Sequence, residues 1–440
     1  MNQLRQKLNL YGLTMIAVGS CIGSGIFITP ADVVAEVPHH GLAIGLWLIG
    51  GLIALTGALT FSELGGMFPQ AGGVYAYLKE AYGELAGFLY GWIILLVINT
   101  GALAALAIAF ANYMEFFIPG MSGNDKILLA ASAIAGLTAI NCVGVGVSQA
   151  LANVFTGIKL LAIAGIIVAG FVFYEPAKVN LSFSLAENLP VDWFSGMFVG
   201  LIAVLWSFGG WHHASYLAGE AINPQKTVAR AMVLGAVIVT TVYVLVNLSY
   251  MMLLPLPVMG SSELVAGKAM EAIVPWGGRL VAVAIAISIF GTIGIFTMSA
   301  PRIYYAMATD KIFFSFLAKV HPRFRTPVNA MVLQAVWAIF LLFVWGTFSN
   351  LITYVTFMDI LFMTMAGAGI FILRKKRPDA ERPYRTAGYP FVPLIFVLIS
   401  GAFVLSTLVE RPIQTLAGLG LVALGIAAFL LFRRKNLNPG

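Results

Sequence analysis

Charge is what this chain has least of. Only 10% of its 440 residues are Asp, Glu, Lys or Arg, against about 25% in an ordinary soluble protein, while 60% are hydrophobic. Such a chain cannot clothe a water-facing surface, which excludes a soluble protein and predicts an integral membrane protein. Cysteine is scarce too. Cys21 and Cys142 both fall in apolar segments, which excludes a disulfide framework. No long hydrophilic stretch offers a soluble domain, and no Walker-type phosphate loop supports direct drive by ATP. No small-residue cleavage site follows the first apolar run, so no cleaved signal peptide is expected.

What the chain does have is apolar runs. Twelve segments of spanning length, roughly 20 residues each, can be placed at 10–35, 41–66, 86–117, 127–144, 150–173, 194–219, 228–254, 277–307, 328–346, 350–373, 390–408 and 412–432. With the N-terminus inside and the loops alternating, nineteen Lys and Arg fall on the inner side and five outside (Lys126, Lys178, Lys268, Arg279 and Arg411). Lys159, within a span, completes the 25. This bias puts both termini in the cytoplasm. The net charge of +7 is thereby explained by topology and implies no nucleic acid.

Two spans carry interruptions. Gly23-Ser24-Gly25 lies near the middle of the first, and Trp206-Ser207-Phe208-Gly209-Gly210-Trp211-His212-His213 lies in the sixth. Glycine costs roughly 1 kcal/mol per helical position relative to alanine, and freed backbone groups in lipid must find internal partners. The broken spans open two successive sets of five, the second entering the bilayer from the opposite side. That layout predicts an inverted repeat, 10–173 and 194–373, followed by two peripheral spans at 390–432, in a single transporter domain over 1–440. A weak echo, Ile16-Ala17-Val18 against Ile202-Ala203-Val204, accompanies it.

The breaks suggest a chemistry. A half-helix starting after Gly25 presents N–H groups and a positive dipole end, suited to an anion. A half-helix ending near Trp206 presents carbonyls, suited to an ammonium. Together they would recognise the carboxylate and amino groups shared by all amino acids. Trp206, mid-span, would cap the ligand. Asn99-Thr100-Gly101 lies in the third span, where plain helix packing competes with a ligand contact by Thr100. Lys159 sits about 13 Å into its helix. A central lysine costs roughly 2.5–3.5 kcal/mol, so a buried partner, a fixed charge or a proton-carrying role is expected. Asp359 is the other intramembrane charge, open to a proton-acceptor, gating or merely paired role. His212 and His213 lack ligand-spaced carboxylate or cysteine companions, so no metal is expected. Glu63 and Glu220 stand near inner span ends, where capping or loop pairing is the default. Few acids face the spans, so a cationic substrate is not expected.

These residues resemble the amino acid–polyamine–organocation superfamily, and most nearly the L-type amino acid transporters and their bacterial exchangers. The matching pieces run along nearly the whole chain: Ile22-Gly23-Ser24-Gly25-Ile26-Phe27, Glu63-Leu64-Gly65 through Gly72-Gly73-Val74-Tyr75-Ala76-Tyr77-Leu78, Phe208-Gly209-Gly210-Trp211, Glu220 with Asn223-Pro224, and Arg374 to Arg385. The resemblance implies the leucine-transporter fold. By the family pattern, Ile22, Gly23, Ser24 and Gly25 contact the substrate carboxylate. Carbonyls around Trp206, Ser207 and Gly209, beside Phe208, take the amino group. Trp206 stands at the aromatic gate, and Lys159 fills the place of a sodium ion. Ile293 departs from an Asn common before Gly294, and His212 from an Asn or Glu. The side-chain specificity therefore stays open. The outer loop from Pro119 to Lys126 has no cysteine, so no disulfide-linked heavy chain is expected.

The sequence thus predicts a multi-pass plasma-membrane carrier of neutral L-amino acids working by alternating access, with no cofactor and no enzymatic activity. Exchange is favoured by the resemblance. Proton symport remains the alternative through Asp359 and His212, and a non-transporting sensor the rival from another class, for which the roughly eight residues after the last span offer no signalling domain.

Overall fold

The structure is a computed structural model that describes residues 4–184, 192–344 and 348–437. It is all-α. Among the described residues there is no β-strand, only an isolated bridge between Leu8 and Ala221. In chain order the helices are α1 (Leu10–Cys21), α2 (Gly25–Glu36), α3 (His40–Met67), α4 (Val74–Tyr82), α5 (Glu84–Ile93), α6 (Asn99–Met114), α7 (Gly123–Cys142), α8 (Val145–Val172), α9 (Trp193–Phe208) and α10 (His213–Tyr216). There follow α11 (Pro224–Leu253), α12 (Leu256–Gly260), α13 (Val265–Glu271), α14 (Gly277–Ser299), α15 (Pro301–Thr309), α16 (Val328–Val344), α17 (Phe348–Lys376), α18 (Phe391–Glu410) and α19 (Pro412–Leu437).

Among the described residues nine helical stretches are long and apolar enough to cross a membrane. Counting the bent pair α1 and α2 as one span makes ten, and α9 and α16 are shorter apolar helices. The α1–α2 pair turns by 42° at 22–24, where the paired glycines remove the helical preference. α5 and α6 run on through one π turn, Ile94–Ile98. The apolar window of α5–α6 is 83% buried and that of α19 only 22%. The third span is therefore a central element and α19 a peripheral one.

Local chemistry sets the ends. Asn9 caps α1 through Gly12 N–H, 2.8 Å. Ser122 and Asp125 form a reciprocal capping box on α7. Pro224 and Pro301 occupy first helical turns, where the missing N–H costs nothing. The interfacial helix expected after the second span is α4. Its Tyr75 hydroxyl donates to Asp310 at 2.6 Å, and Lys79 joins the same carboxylate at 2.8 Å. Burial, reinforced by the Asp310 charge, pushes the Tyr75 hydroxyl far above its ordinary range, so it stays a donor.

The two carboxylates expected at inner span ends are paired, over distances in sequence that spacing could not predict. Glu63 accepts from Arg374 at 2.9 and 2.7 Å and from the Thr386 N–H at 2.7 Å, with Arg382 at 3.2 Å. Glu220 accepts from Arg302 at 2.7 and 2.9 Å, both side chains fully buried. The Glu220 carbonyl also receives the N–H groups of Lys7 and Leu8, which ties the segment before α1 to the end of the second broken span. Glu220→Gln should lower the thermal midpoint of the purified protein more than the double change Glu220→Gln, Arg302→Met. The single change strands a buried guanidinium, at a cost of roughly 3–5 kcal/mol. A thermal unfolding series on the three variants checks the order.

Candidate functional site

The breaks meet. A Cβ on Gly25 would lie 2.5 Å from Ser207 Oγ and 3.0 Å from Ser207 Cα. Only glycine lets the start of α2 lie against the end of α9. Gly210 holds φ at +125°, and a Cβ there would come within 2.8 Å of the Ser20 backbone. Ser20 Oγ donates to the Gly210 carbonyl at 2.7 Å, and Cys21 Sγ to that of Phe208 at 3.4 Å. Thr29 Oγ1 and Ser207 Oγ lie 2.8 Å apart. The two interruptions are thus knitted into one polar seam in the middle of an apolar bundle.

Beside that seam lies a narrow cavity. It is lined by Gly23, Ser24 and Gly25 from the first break, by Trp206, Ser207, Gly209 and His212 from the second, and by Ile98, Ala102 and Leu106, Thr292 and Phe296, and Thr356 and Asp359 from the surrounding helices. The space open to the centre of a water molecule is about 50 Å³. A far wider cleft of about 960 Å³, lined by Arg5, Lys79, Asp310 and Arg323 among others, belongs with the charged loops and not with the breaks.

No side chain caps α2 at Ser24, and a helix start leaves its first N–H groups without internal acceptors. Ser24 Oγ, Thr356 Oγ1 and Asp359 Oδ1, all buried, have no protein partner. His212 Nε2 stands 3.9 Å from Asp359 Oδ1, while His213 Nδ1 lies 2.6 Å from Ser299 Oγ. On the carbonyl side, Trp206 C=O takes the Gly209 N–H at 3.1 Å and Ser207 C=O takes the Tyr243 hydroxyl at 2.9 Å.

Lys159 is fully buried. Its ammonium donates to the Gly19 carbonyl at 3.0 Å, the Ile22 carbonyl at 2.6 Å and Thr292 Oγ1 at 2.9 Å. It therefore caps the carbonyl end of α1, the negative end of that helix dipole. It lies behind the cavity wall, linked to it through Thr292.

Not every residue singled out in the sequence comes to the cavity. Thr100 does not. Its hydroxyl turns back to the Leu95 carbonyl, 2.6 Å away, inside the wider turn at 94–98. Phe208 packs instead against Tyr243 and Trp47, with ring centroids 5.0 and 6.2 Å apart. Ile22 contributes its carbonyl to Lys159 rather than a surface to the cavity. Sequence reasoning passed over Ser20, Tyr243 and Thr292. Each is a polar residue in an apolar span, which is a signal, but the spans hold many such residues and only packing selects these three.

The profile of the family described as "Amino acid permease" matches residues 8–429. The chain is 32% identical over 443 residues to "Large neutral amino acids transporter small subunit 2" of Oryctolagus cuniculus, covering 97% of this chain and 80% of that protein. It is 33% identical over 411 residues to "Serine/threonine exchanger SteT" of Bacillus subtilis (strain 168), covering 91% and 90%. It is 30% identical over 424 residues to "b(0,+)-type amino acid transporter 1" of Mus musculus, covering 93% and 84%. With the profile running through both breaks, Lys159, Glu220 and the Arg374 loop, the chain belongs to the amino acid permease family of the amino acid–polyamine–organocation superfamily.

Proposed function

We propose that this protein is a secondary active transporter that exchanges neutral L-amino acids across the plasma membrane by alternating access. One observation carries the reading: the start of α2, whose first N–H groups have no internal acceptors, and the carbonyl end of α9 line one narrow cavity among the surrounding helices. An α-carboxylate meets the first and an α-ammonium the second. Gly23, Ser24 and Gly25 form the carboxylate end, Trp206, Ser207 and Gly209 the ammonium end, and Trp206 the cap. The family is one of transporters, not enzymes, and the named relatives include exchangers.

The finer architecture belongs to the same proposal. Twelve spans, with α9–α10, α16 and the α1–α2 pair each counted as one, form a leucine-transporter fold with both termini cytoplasmic. The packing supports an exchange of the first five spans with the second five. α1 packs on α11 as α9 packs on α3. α1 packs on α8 as α9 packs on α17. α8 packs on α14 as α17 packs on α6, and α7 on α14 as α16 on α6. Lys159 holds the carbonyls a sodium ion would otherwise need, so transport is sodium-independent. The loop from Pro119 to Lys126 carries no cysteine, so the proposal includes no disulfide-linked heavy chain.

The test is uptake of labelled alanine, serine, leucine and arginine into proteoliposomes, with and without internal amino acid and an imposed proton gradient. Uptake that requires internal amino acid and ignores the gradient is the expected result. Uptake into empty vesicles that follows the gradient would make the protein a proton symporter through Asp359 and His212, and binding without uptake a sensor.

The side-chain end of the ligand meets Asp359. Its free carboxylate oxygen is an acceptor awaiting a donor, and a hydrogen bond to a charged group contributes about 1.5–3 kcal/mol. Threonine and valine have the same shape and differ by one hydroxyl. Asp359→Ala should lower the threonine-to-valine preference in competition assays by about tenfold, the equivalent of roughly 1.4 kcal/mol. An unchanged ratio would remove Asp359 from substrate selection.

A further inference from the structure

A third helix that lines the cavity is interrupted. α14 ends at Ser299 and α15 starts at Pro301, inside one apolar stretch, Gly277–Thr309. Proline has no N–H, so the Thr297 carbonyl loses its helical donor. Among the described residues the Ala300 N–H has no backbone acceptor, so the Phe296 carbonyl is released as well. Two side chains answer it. Gln334 Nε2, from α16, donates to the Phe296 carbonyl at 3.1 Å, and Asn99 Nδ2, from the start of α6, at 3.4 Å. Both side chains are buried. Their amide oxygens, Gln334 Oε1 and Asn99 Oδ1, have no protein partner. A buried acceptor stranded in this way is destabilising. Methionine would fill the place of Gln334 without that cost, so what the amide contributes is its donor.

The residue so held faces the cavity. The Phe296 side chain lines it, and its ring packs on His213 with centroids 4.4 Å apart. Three residues on, Ser299 Oγ lies 2.6 Å from His213 Nδ1. The segment 296–299 is therefore where α14 meets the second break. None of the residues of α16 lines the cavity. We infer that Gln334, seconded by Asn99, sets the size of the side chain the cavity accepts, by fixing the Phe296 backbone from outside it. Gln334 is a positioning residue and touches no ligand. This inference deepens the transport reading and rests on it. With both donors in place the ring stays where the cavity is narrow, about 50 Å³ to the centre of a water molecule, which favours alanine over leucine. With the donors gone, nothing holds the released carbonyl, the segment relaxes, and the ring yields to a larger side chain.

Gln334→Met keeps the bulk and removes one donor, and Asn99→Ala removes the other. The readout is the ratio of leucine to alanine affinity, taken in two ways. One is inhibition of labelled serine exchange in proteoliposomes. The other is the amino acid concentration that gives half of the shift in thermal midpoint of the purified protein. Either single variant leaves the carbonyl one donor and should move the ratio toward leucine by about twofold. The double variant leaves it none and should move the ratio by at least ~tenfold, beyond the product of the single effects. Leu341→Ala truncates a buried side chain on the same helix. It should lower the midpoint and leave the ratio as in the wild type. An unchanged ratio in Gln334→Met, alone or with Asn99→Ala, would reduce Gln334 to a packing residue and overturn the inference. A shift of the ratio that Leu341→Ala reproduces would overturn it as well. So would a double effect equal to the product of the single ones, because two donors on one acceptor do not act independently. A wild type that binds both amino acids and exchanges neither would fault the transport reading, and the ratio from the midpoints would still decide this one.

Discussion

Methionine at position 159 should reduce amino acid exchange by at least ~100-fold while the protein still reaches the membrane. The ammonium makes three hydrogen bonds, two of them to the Gly19 and Ile22 carbonyls. Methionine fills similar volume but donates nothing, so both carbonyls depend on Thr292, whose single hydroxyl already lies 3.0 and 3.1 Å from them. A buried acceptor left unsatisfied costs about 1–3 kcal/mol. Two such losses of about 1.4 kcal/mol each reach a factor of about 100 if the broken conformation is what transport uses. The end of α1 would then either rewind toward a continuous helix or draw in water. Initial exchange rates at saturating substrate, with expression and thermal midpoint measured alongside, check this. Exchange within a few-fold of wild type would show that the break stands without its cap.

The glycines should separate sharply. Gly210→Ala should abolish exchange, and Gly23→Ala should keep most of it. At 210 the backbone is at φ +125°, where a side chain is strained, and the Cβ would run into the Ser20 backbone at 2.8 Å. At 23 the nearest atoms to a Cβ are Leu106 Cδ2 at 3.4 Å and Thr292 at 3.5 Å, ordinary contact distances. Gly25→Ala should fall with Gly210, because its Cβ meets Ser207 Cα at 3.0 Å and would wedge the two breaks apart. Assaying the three variants side by side isolates backbone geometry from composition, since each adds the same methyl group. Equal losses at 23 and 210 would mean that the breaks are read by substrate contact alone and not by fit to one another.

The interruptions were legible in the sequence because glycine in mid-membrane has a cost that something must offset, and Gly23, Gly25, Gly209 and Gly210 stand where a helix wants them least. The pairings of Glu63 and Glu220 at their span ends were legible as a type of contact but not by partner. Arg374 is 311 residues from Glu63, and no periodicity spans that gap. Thr100 illustrates the opposite failure. A polar residue in a central span invites a ligand role, but its hydroxyl is absorbed by the Leu95 carbonyl in a turn whose width depends on neighbouring helices. Tyr243 was invisible for a related reason. Its contact with the Ser207 carbonyl exists only where α11 crosses the breaks, and crossing is a property of the packed bundle. Lys159 stood out as a buried charge, but its three acceptors appear only with α1 and α14 in place.

The π turn at 94–98 sets the rotation of everything that follows it. An α-helix advances about 100° per residue, so one surplus residue in a turn swings the remaining helix by that amount relative to an uninterrupted one. Before the turn, Phe88 faces Phe429 of α19, and Trp92 donates to the Leu421 carbonyl on the same helix. From its last residue onward, Ile98, Ala102 and Leu106 form a ridge on the cavity. The two halves of one rod therefore address two unrelated surfaces, and the angle between those addresses is written in the number of residues rather than in their kind. A one-residue deletion within 94–97 would leave the α19 contacts where they are and rotate that ridge off the cavity wall, changing the shape of the chamber without altering any side chain that lines it.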